Sequence, residues 1–335
     1  MVFDYISISS WLELLRANYS PDTFGANDLD ASPRHVIFLA PSAEITTQER
    51  IMGNAVRALT ALIAVGAALI LVAPAAHADV LDEIVIAHRA GAASRLGEAT
   101  MESYKDSVAN HADILDGDIH WTKDSSDADT VGSIVVIHDS TLDRITNCSG
   151  KVSSWLWTSI RDKCKTDVGG NKLIRLKDLV AYAKSVGKPL AIGLKNSTIT
   201  NAQAKQLWNT IKYSNIQLEA PSSRLAGALD KVKKLDRADS SHKIKYALTA
   251  TGSGGWGTAA NPNPSVSKVK SVGTYFHAGL SIPASVMTTY RSAGIKVFIF
   301  TGKDEDDYAK MAALNPYGVV VDDVERFQAW RNTQT

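Results

Sequence analysis

From residue 84 onward, short apolar runs rich in Val and Ile alternate with stretches of helical periodicity. Runs this brief and β-branched read as buried strands. Strands that alternate with helices point to parallel β/α architecture, because parallel neighbours have to be joined by a crossover. Nine candidate strands fall at 84–87, 114–122, 133–138, 190–195, 216–219, 244–250, 275–280, 296–301 and 318–323. Helical patterns cover 101–111, 176–186, 201–213, 223–235, 283–293 and 304–314, and the chain closes on E-R-F-Q-A-W-R. A TIM (β/α)8 barrel, a single domain of about 250 residues, uses eight strands. One candidate is therefore surplus, and 275–280 is expected to be the irregular piece. The alternative is an open doubly wound sheet. No G-x-G-x-x-G follows the first strand, which weakens a dinucleotide-binding version of it. The glycine-rich stretch at 251–258 lacks G-K-[ST] and is expected to be a flexible loop.

In a parallel barrel, chemistry sits at the C-terminal ends of the strands. Three of the first runs end in ionisable residues: His88 and Arg89, then Asp116 and Asp118, then His138 and Asp139. Asp116 and Asp118 are two apart on a strand and so share a face. Two such carboxylates repel unless a proton or cation intervenes, and hard oxygen donors suit Mg²⁺ or Ca²⁺. The structural alternative is an exposed acidic edge strand. Two imidazoles at strand ends can divide the roles of base or nucleophile and of acid across one phosphate. Arg89 and Lys195 can hold phosphate oxygens, one as a planar fork and the other as a point charge. A lone histidine or lysine in such places is more often structural.

The N-terminal part reads differently. Residues 58–73 are an almost unbroken apolar run, followed by P-A-A-H-A and Asp79, with Arg57 ahead of it. This fits a secretory signal peptide over 52–78, cleaved after Ala78, better than an uncleaved anchor. Residues 1–51 are expected to be a non-native or disordered extension, with translation starting at Met52, and 79–335 to be the catalytic domain. Apart from the three basic and seven acidic residues of 1–51 and the single Arg57, 32 Lys and Arg face 28 Asp and Glu, a net charge of about +4. That near-balance excludes a dedicated nucleic-acid binder and mildly favours anionic small molecules. In an oxidising compartment Cys148 and Cys164 are expected to form one disulfide rather than remain two buried thiols. The secreted protein is expected to act as a monomer.

The order H-R-A-G at 88–91, G-E-A-T at 97–100, D-G-D-I-H-W-T-K-D at 116–124, V-V-I-H-D-S-T-L-D-R at 135–144 and L-A-I-G-L-K at 190–195 resembles the glycerophosphodiester phosphodiesterase family. Its usual pattern is H-R-G, P-E-N-T, E-x-D-V-x-x-T-K-D, V-x-H-D-x-x-L-x-R and E-I-K. The F-T-G at 300–302 and V-V-V-D-D at 319–323 resemble its W-T-V-N and I-I-T-D endings. The resemblance implies a TIM barrel that hydrolyses phosphodiesters with a divalent cation, Ca²⁺ or Mg²⁺. By position, His88 and His138 match the two catalytic histidines, and Asp116 and Asp118 the metal-binding acids. Arg89, Glu98 and Lys195 match substrate-site residues. The wording around W-T-K-D and N-C-S-G also resembles secreted members acting on lysophospholipids with a phospholipase D-like outcome, which implies contact with a membrane surface. Two departures stand out. Gly193 replaces the Glu of E-I-K, ordinarily a third protein ligand, and Ala99 replaces the asparagine of P-E-N-T. The missing oxygen is left to water, to Glu98 or Glu219, or to the substrate; a catalytically impaired phosphate-ester-binding barrel is the competing reading.

Overall fold

The computed structural model describes residues 83–123, 131–221, 224–239, 244–250 and 263–334. The expectations for 1–51, for the signal peptide and for the glycine-rich stretch at 251–258 lie outside these residues. Within them, β1 (Ile84–Ala87) is followed by α1 (Met101–Ala109), β2 (Ile114–Trp121), β3 (Ile134–Val136), α2 (Trp157–Lys163), α3 (Leu176–Ser185) and β4 (Leu190–Leu194). Then come α4 (Asn201–Ile211), β5 (Ile216–Pro221), α5 (Asp230–Ala238), β6 (Lys245–Thr249), α6 (Val266–Val272) and β7 (Tyr275–Gly279). The chain ends with α7 (Ala284–Ser292), β8 (Lys296–Gly302), α8 (Glu305–Ala313), β9 (Gly318–Val321) and α9 (Val324–Asn332). The helix expected over 223–235 is present as a π-helical turn at Leu225–Leu229 running into α5.

Eight strands, β1, β2 and β4 to β9, pair in parallel, and β1 closes the ring by pairing with both β2 and β9. The protein is thus a TIM barrel, as its strand–helix alternation requires. The surplus strand is not 275–280. That segment is the barrel strand β7, paired in parallel on both sides. The extra strand is β3, which lies antiparallel on β2, with Ile119 opposite Val136 and Trp121 opposite Ile134. Among the described residues no helix lies between β2 and β3, and β3 runs back along β2 as its antiparallel neighbour, a pairing that needs no crossover.

Period-two alternation splits the ring's side chains into two apolar sets. The outward set, including Leu115, Ile119, Leu218, Leu248, Phe276 and Val319, packs under the helices in one large core. The inward set is small: Ile86, Phe298 and Val320, edged by Ile84, Ile114, Tyr275 and Phe300, plug the inside of the ring. Polar residues on the ring strands, Asp116, Asp118, Glu219 and His277, are also buried and line the cavity above the plug. The plug closes the barrel below and leaves a polar floor above it.

The long connection from β3 to α3 is stapled by a Cys148–Cys164 disulfide, with Cα atoms 5.5 Å apart. It buries Leu142, Val152 and Ile160 against the main core. Closing a loop of this length stabilises by about 3 kcal/mol in the chain-entropy model. The double variant Cys148→Ser/Cys164→Ser is therefore expected to lose about 3 kcal/mol in urea unfolding. An unchanged midpoint would mean that the buried apolar side chains alone hold the segment.

Candidate active site

The site begins where β1 ends. The chain leaves β1 through a tight turn in which Arg89 (φ 51°), Ala90 (φ 67°) and Gly91 (φ 80°) are all left-handed. For Arg89 and Ala90 this backbone costs on the order of 1–2 kcal/mol each. The turn is held because it points the Arg89 amide at β2, where its N–H donates to Asp116 Oδ2 at 3.0 Å. Strain of this kind is tolerated where surrounding contacts over-determine it. The following loop reaches α1 through Thr100, whose hydroxyl accepts the Ser103 N–H in a capping box. That cap fixes the loop carrying Glu98.

Asp116 and Asp118 project from one face of β2, both nearly fully buried. Lys195, just past β4, places Nζ 2.9 Å from Asp118 Oδ1, and Arg89 Nε lies 3.6 Å from Asp118 Oδ2. Arg89 Nε is buried and has no hydrogen-bond partner. Burial works to raise the Asp118 carboxyl, but Lys195, His138 and Arg89 together hold it below the usual range. Asp116 has no such cation in contact. Burial, then repulsion from Asp118 and Glu219, pushes it up to about 7. Glu219 on β5 is pushed up to about 7 by burial and by Asp118.

Both histidines reach this floor. His88 Nδ1 is 2.5 Å from Asp322 Oδ1 at the end of β9, and His138 Nδ1 is 2.6 Å from Asp139 Oδ1. A carboxylate on Nδ1 fixes the tautomer and leaves Nε2 as the working nitrogen. His138 arrives by an unexpected route. Because β3 runs antiparallel, it descends along β2 from the rim, and Ile137 N–H donates to Asp118 O at 2.8 Å. Its C-terminal end therefore delivers His138 beside Asp118. The His120 ring supports it from below, with Nε2 3.2 Å from the His138 carbonyl oxygen. Burial, reinforced by Lys195, pushes the His138 imidazole below its ordinary pKa.

One cavity of about 400 Å³ is lined by His88, Arg89, Asp116, Asp118, His138 and Lys195, together with Glu219, Thr249 and His277. Six of the seven expected site residues thus converge there. Glu98 does not line it. It lies behind Arg89, its Oε2 3.8 Å from Arg89 Nη1, and both its oxygens accept hydrogen bonds from Arg144 at 2.6 and 3.0 Å. Arg144 also donates to Asp139. It therefore links the carboxylate behind Arg89 to the carboxylate behind His138. Arg144→Ala is expected to lower kcat ten- to a hundredfold by loosening the positions of Arg89 and His138, with substrate KM measured in parallel. Full activity would reduce Arg144 to a surface contact.

Sequence reasoning does not reach three of these groups, and it reaches the fourth, Glu219, only as one of several possible sources of the missing oxygen. Asp322 ends a Val run as the other site residues do, and that signal marks it. Arg144 sits in the H-D-S-T-L-D-R stretch, but its role depends on a partner 46 residues away. His277 falls on the strand expected to be irregular. Glu219 is visible only as one of several acids.

The donor chemistry fits a hard divalent cation. Three buried carboxylates, Asp116, Asp118 and Glu219, border one cavity, and burial followed by mutual repulsion disfavours the charged form of Asp116 and Glu219, which a cation would restore. Among the described residues, no three His, Cys, Asp or Glu side chains stand in a formed ligand arrangement; Lys195 is instead drawn onto Asp118.

The fold and the site define a β/α-barrel protein whose mouth pairs two carboxylate-backed imidazoles with two cations. This chain belongs to the glycerophosphoryl diester phosphodiesterase family, whose sequence model matches residues 88–326. A glycerophosphodiester phosphodiesterase of Bacillus subtilis (strain 168) is 31% identical over 141 residues, 42% of this chain and 40% of that one. The chain spans between 17% and 54% of the length of the curated relatives it matches. In structure it is similar to an Oleispira antarctica phosphodiesterase solved with the product sn-glycerol-3-phosphate (TM-score 0.61, 17% identity, 74% of this chain and 96% of that one). It is also similar to a glycerophosphodiester phosphodiesterase from Thermotoga maritima (TM-score 0.55, 22% identity, 74% and 97%).

Proposed function

We propose that this protein is a phosphodiester hydrolase that cleaves glycerophosphodiesters to glycerol 3-phosphate and an alcohol. One observation carries the reading: His88 and His138, each backed by a carboxylate, line the same cavity as Arg89 and Lys195. The family relationship and the glycerol 3-phosphate bound to the Oleispira phosphodiesterase support it.

Arg89 and Lys195 bind the phosphate oxygens; the buried, unpartnered Arg89 Nε is a donor waiting for such an acceptor. Held neutral by burial and by Lys195, His138 is suited to take a proton from the attacking water as its oxygen bonds to phosphorus. Asp322 hydrogen-bonds only the His88 ring through its side chain among the described residues, whereas Asp139 is shared between His138 and Arg144. With His138 in the role of base, His88 is the group left to give a proton to the leaving alcohol oxygen as the bond from phosphorus to that oxygen breaks. Asp116 and Asp118 would hold a divalent cation, Ca²⁺ or Mg²⁺, which neutralises charge growing on the phosphodiester.

A lysophospholipid substrate, cleaved at the same bond, is the second reading. The stapled connection between β3 and α3 exposes Leu156 and Val168, apolar side chains suited to a lipid surface. In that variant the substrate's own 2-hydroxyl attacks and a cyclic phosphate results. The Cys148–Cys164 bond supports export to an oxidising compartment, and a mature N-terminus at Asp79 in the native product would agree with it. The deciding experiment is product analysis with glycerophosphocholine and lysophosphatidylcholine, each with Ca²⁺, Mg²⁺ or EDTA. Glycerol 3-phosphate from the first substrate supports hydrolysis, and a cyclic phosphate from the second supports the lipid reading. Binding without turnover, unaltered by His88→Ala, would leave a phosphate-ester-binding barrel.

A further inference from the structure

We propose that Glu219 supplies the carboxylate that Gly193 cannot, so that the cation site is completed from β5 rather than from β4. The inference rests on the divalent-cation reading of the same cavity. Residues 118, 193 and 219 are direct cross-strand neighbours on β2, β4 and β5. A Cβ built on Gly193 would stand 2.1 Å from Asp118 Oδ1 and 3.6 Å from Glu219 Oε1. The hollow over the bare backbone of Gly193 is therefore already occupied, by Asp118 from one side and Glu219 from the other.

Glu219 is presented in an oriented way. Its Oε2 accepts from Thr249 Oγ1 at 3.1 Å and lies 3.0 Å from His277 Nδ1. His277 is buried and pairs through its other ring nitrogen with Gln217. With one oxygen tethered twice, Oε1 is left on the side of Gly193 and Asp118. Outer hydrogen bonds that fix a carboxylate's rotation are the usual support of a ligating oxygen. A purely structural Glu–His pair would have no need to open onto a cavity, yet Glu219, Thr249 and His277 all line the one that holds Asp116 and Asp118. Glu98, the other acid nearby, is ruled out by its placement, since Arg144 takes both its oxygens and it stays outside the cavity. The charge that Gly193 does not carry on β4 is then carried by Glu219 on the adjacent strand.

The test is isothermal titration calorimetry of the full chain with Mg²⁺ and with Ca²⁺, alongside thermal melts in EDTA that confirm each variant is folded. Glu219→Gln is expected to weaken cation binding ten- to a hundredfold. Gly193→Glu alone is expected to bring no gain, because its Cβ must enter space held by the Asp118 carboxylate. Unaltered affinity in Glu219→Gln, tighter binding in Gly193→Glu alone, or a wild-type chain that takes up neither cation would each overturn the inference. Glycerophosphodiester turnover separates the two readings. If turnover persists while Glu219→Gln binds the cation normally, only this inference falls. If Glu219 governs binding but no phosphodiester is cleaved, only the catalytic reading falls.

Discussion

His138→Ala is expected to lower kcat by about a thousandfold, within the 10²–10⁴ range of a positioned proton-transfer group, with little effect on KM. The ring is fixed on three sides: by Asp139 at Nδ1, by the His120 contact to its carbonyl oxygen, and by the antiparallel descent of β3 along β2. Burial and Lys195 lower its pKa, so the base form persists below pH 6.5. The sign follows: activity is lost as pH falls, and, at cation concentrations that keep Asp116 and Glu219 ionised, the acidic limb of kcat/KM is expected below 6.5. Asp139→Asn removes the carboxylate that favours the imidazolium and is expected to move that limb further down. A kcat/KM profile from pH 4 to 9 reads both effects. A limb at or above 6.5, or a His138→Ala enzyme with most of its activity, would sink the assignment.

Lys195→Met is expected to weaken both catalysis and folding. Removing one oriented charge from a transition state lowers kcat by about 10²–10³. The folding effect comes from Asp118, which is nearly fully buried and keeps only the longer 3.6 Å contact to Arg89 once Lys195 is gone. Breaking a buried ion pair costs about 3–5 kcal/mol; with Lys195 a quarter exposed, about 2 kcal/mol is the expected loss. Its pH dependence has a definite sign. Asp116 and Glu219 already titrate near 7, and losing the lysine raises Asp118 as well. An acid whose pKa is raised by folding loses stability as pH rises from its unfolded value through its folded one. The deficit is therefore expected to be larger at pH 8 than at pH 5, and Mg²⁺ at pH 8 should restore part of it. Urea unfolding at the two pH values, with and without Mg²⁺, measures this. Equal losses at both would show that the pair contributes packing rather than charge.

Much of the site was legible because its signals are local. A run such as I-V-I-A followed by His88 and Arg89 states both a buried strand and what stands at its end. Asp116 and Asp118 declare a shared face by their spacing alone. Glu98 was legible as a site residue but not as one screened behind Arg89, because that depends on Arg144 arriving from the stapled connection. The strand carrying His138 was expected among the barrel strands, and it proved to be the antiparallel one outside the ring. Nothing in I-V-V tells which way a strand points; its register against β2 does.

The sequence by itself determined the barrel and the identity of the charged groups at its mouth, since strand, helix and facing are set by periodicity over a few residues. The tertiary structure alone decided the pairings. Asp322 meets His88 across 234 residues of chain, and Glu219 meets Gly193 only through the register of two strands closed into a ring. Register and closure are fixed by packing over the whole circumference, and no local stretch of residues contains that information.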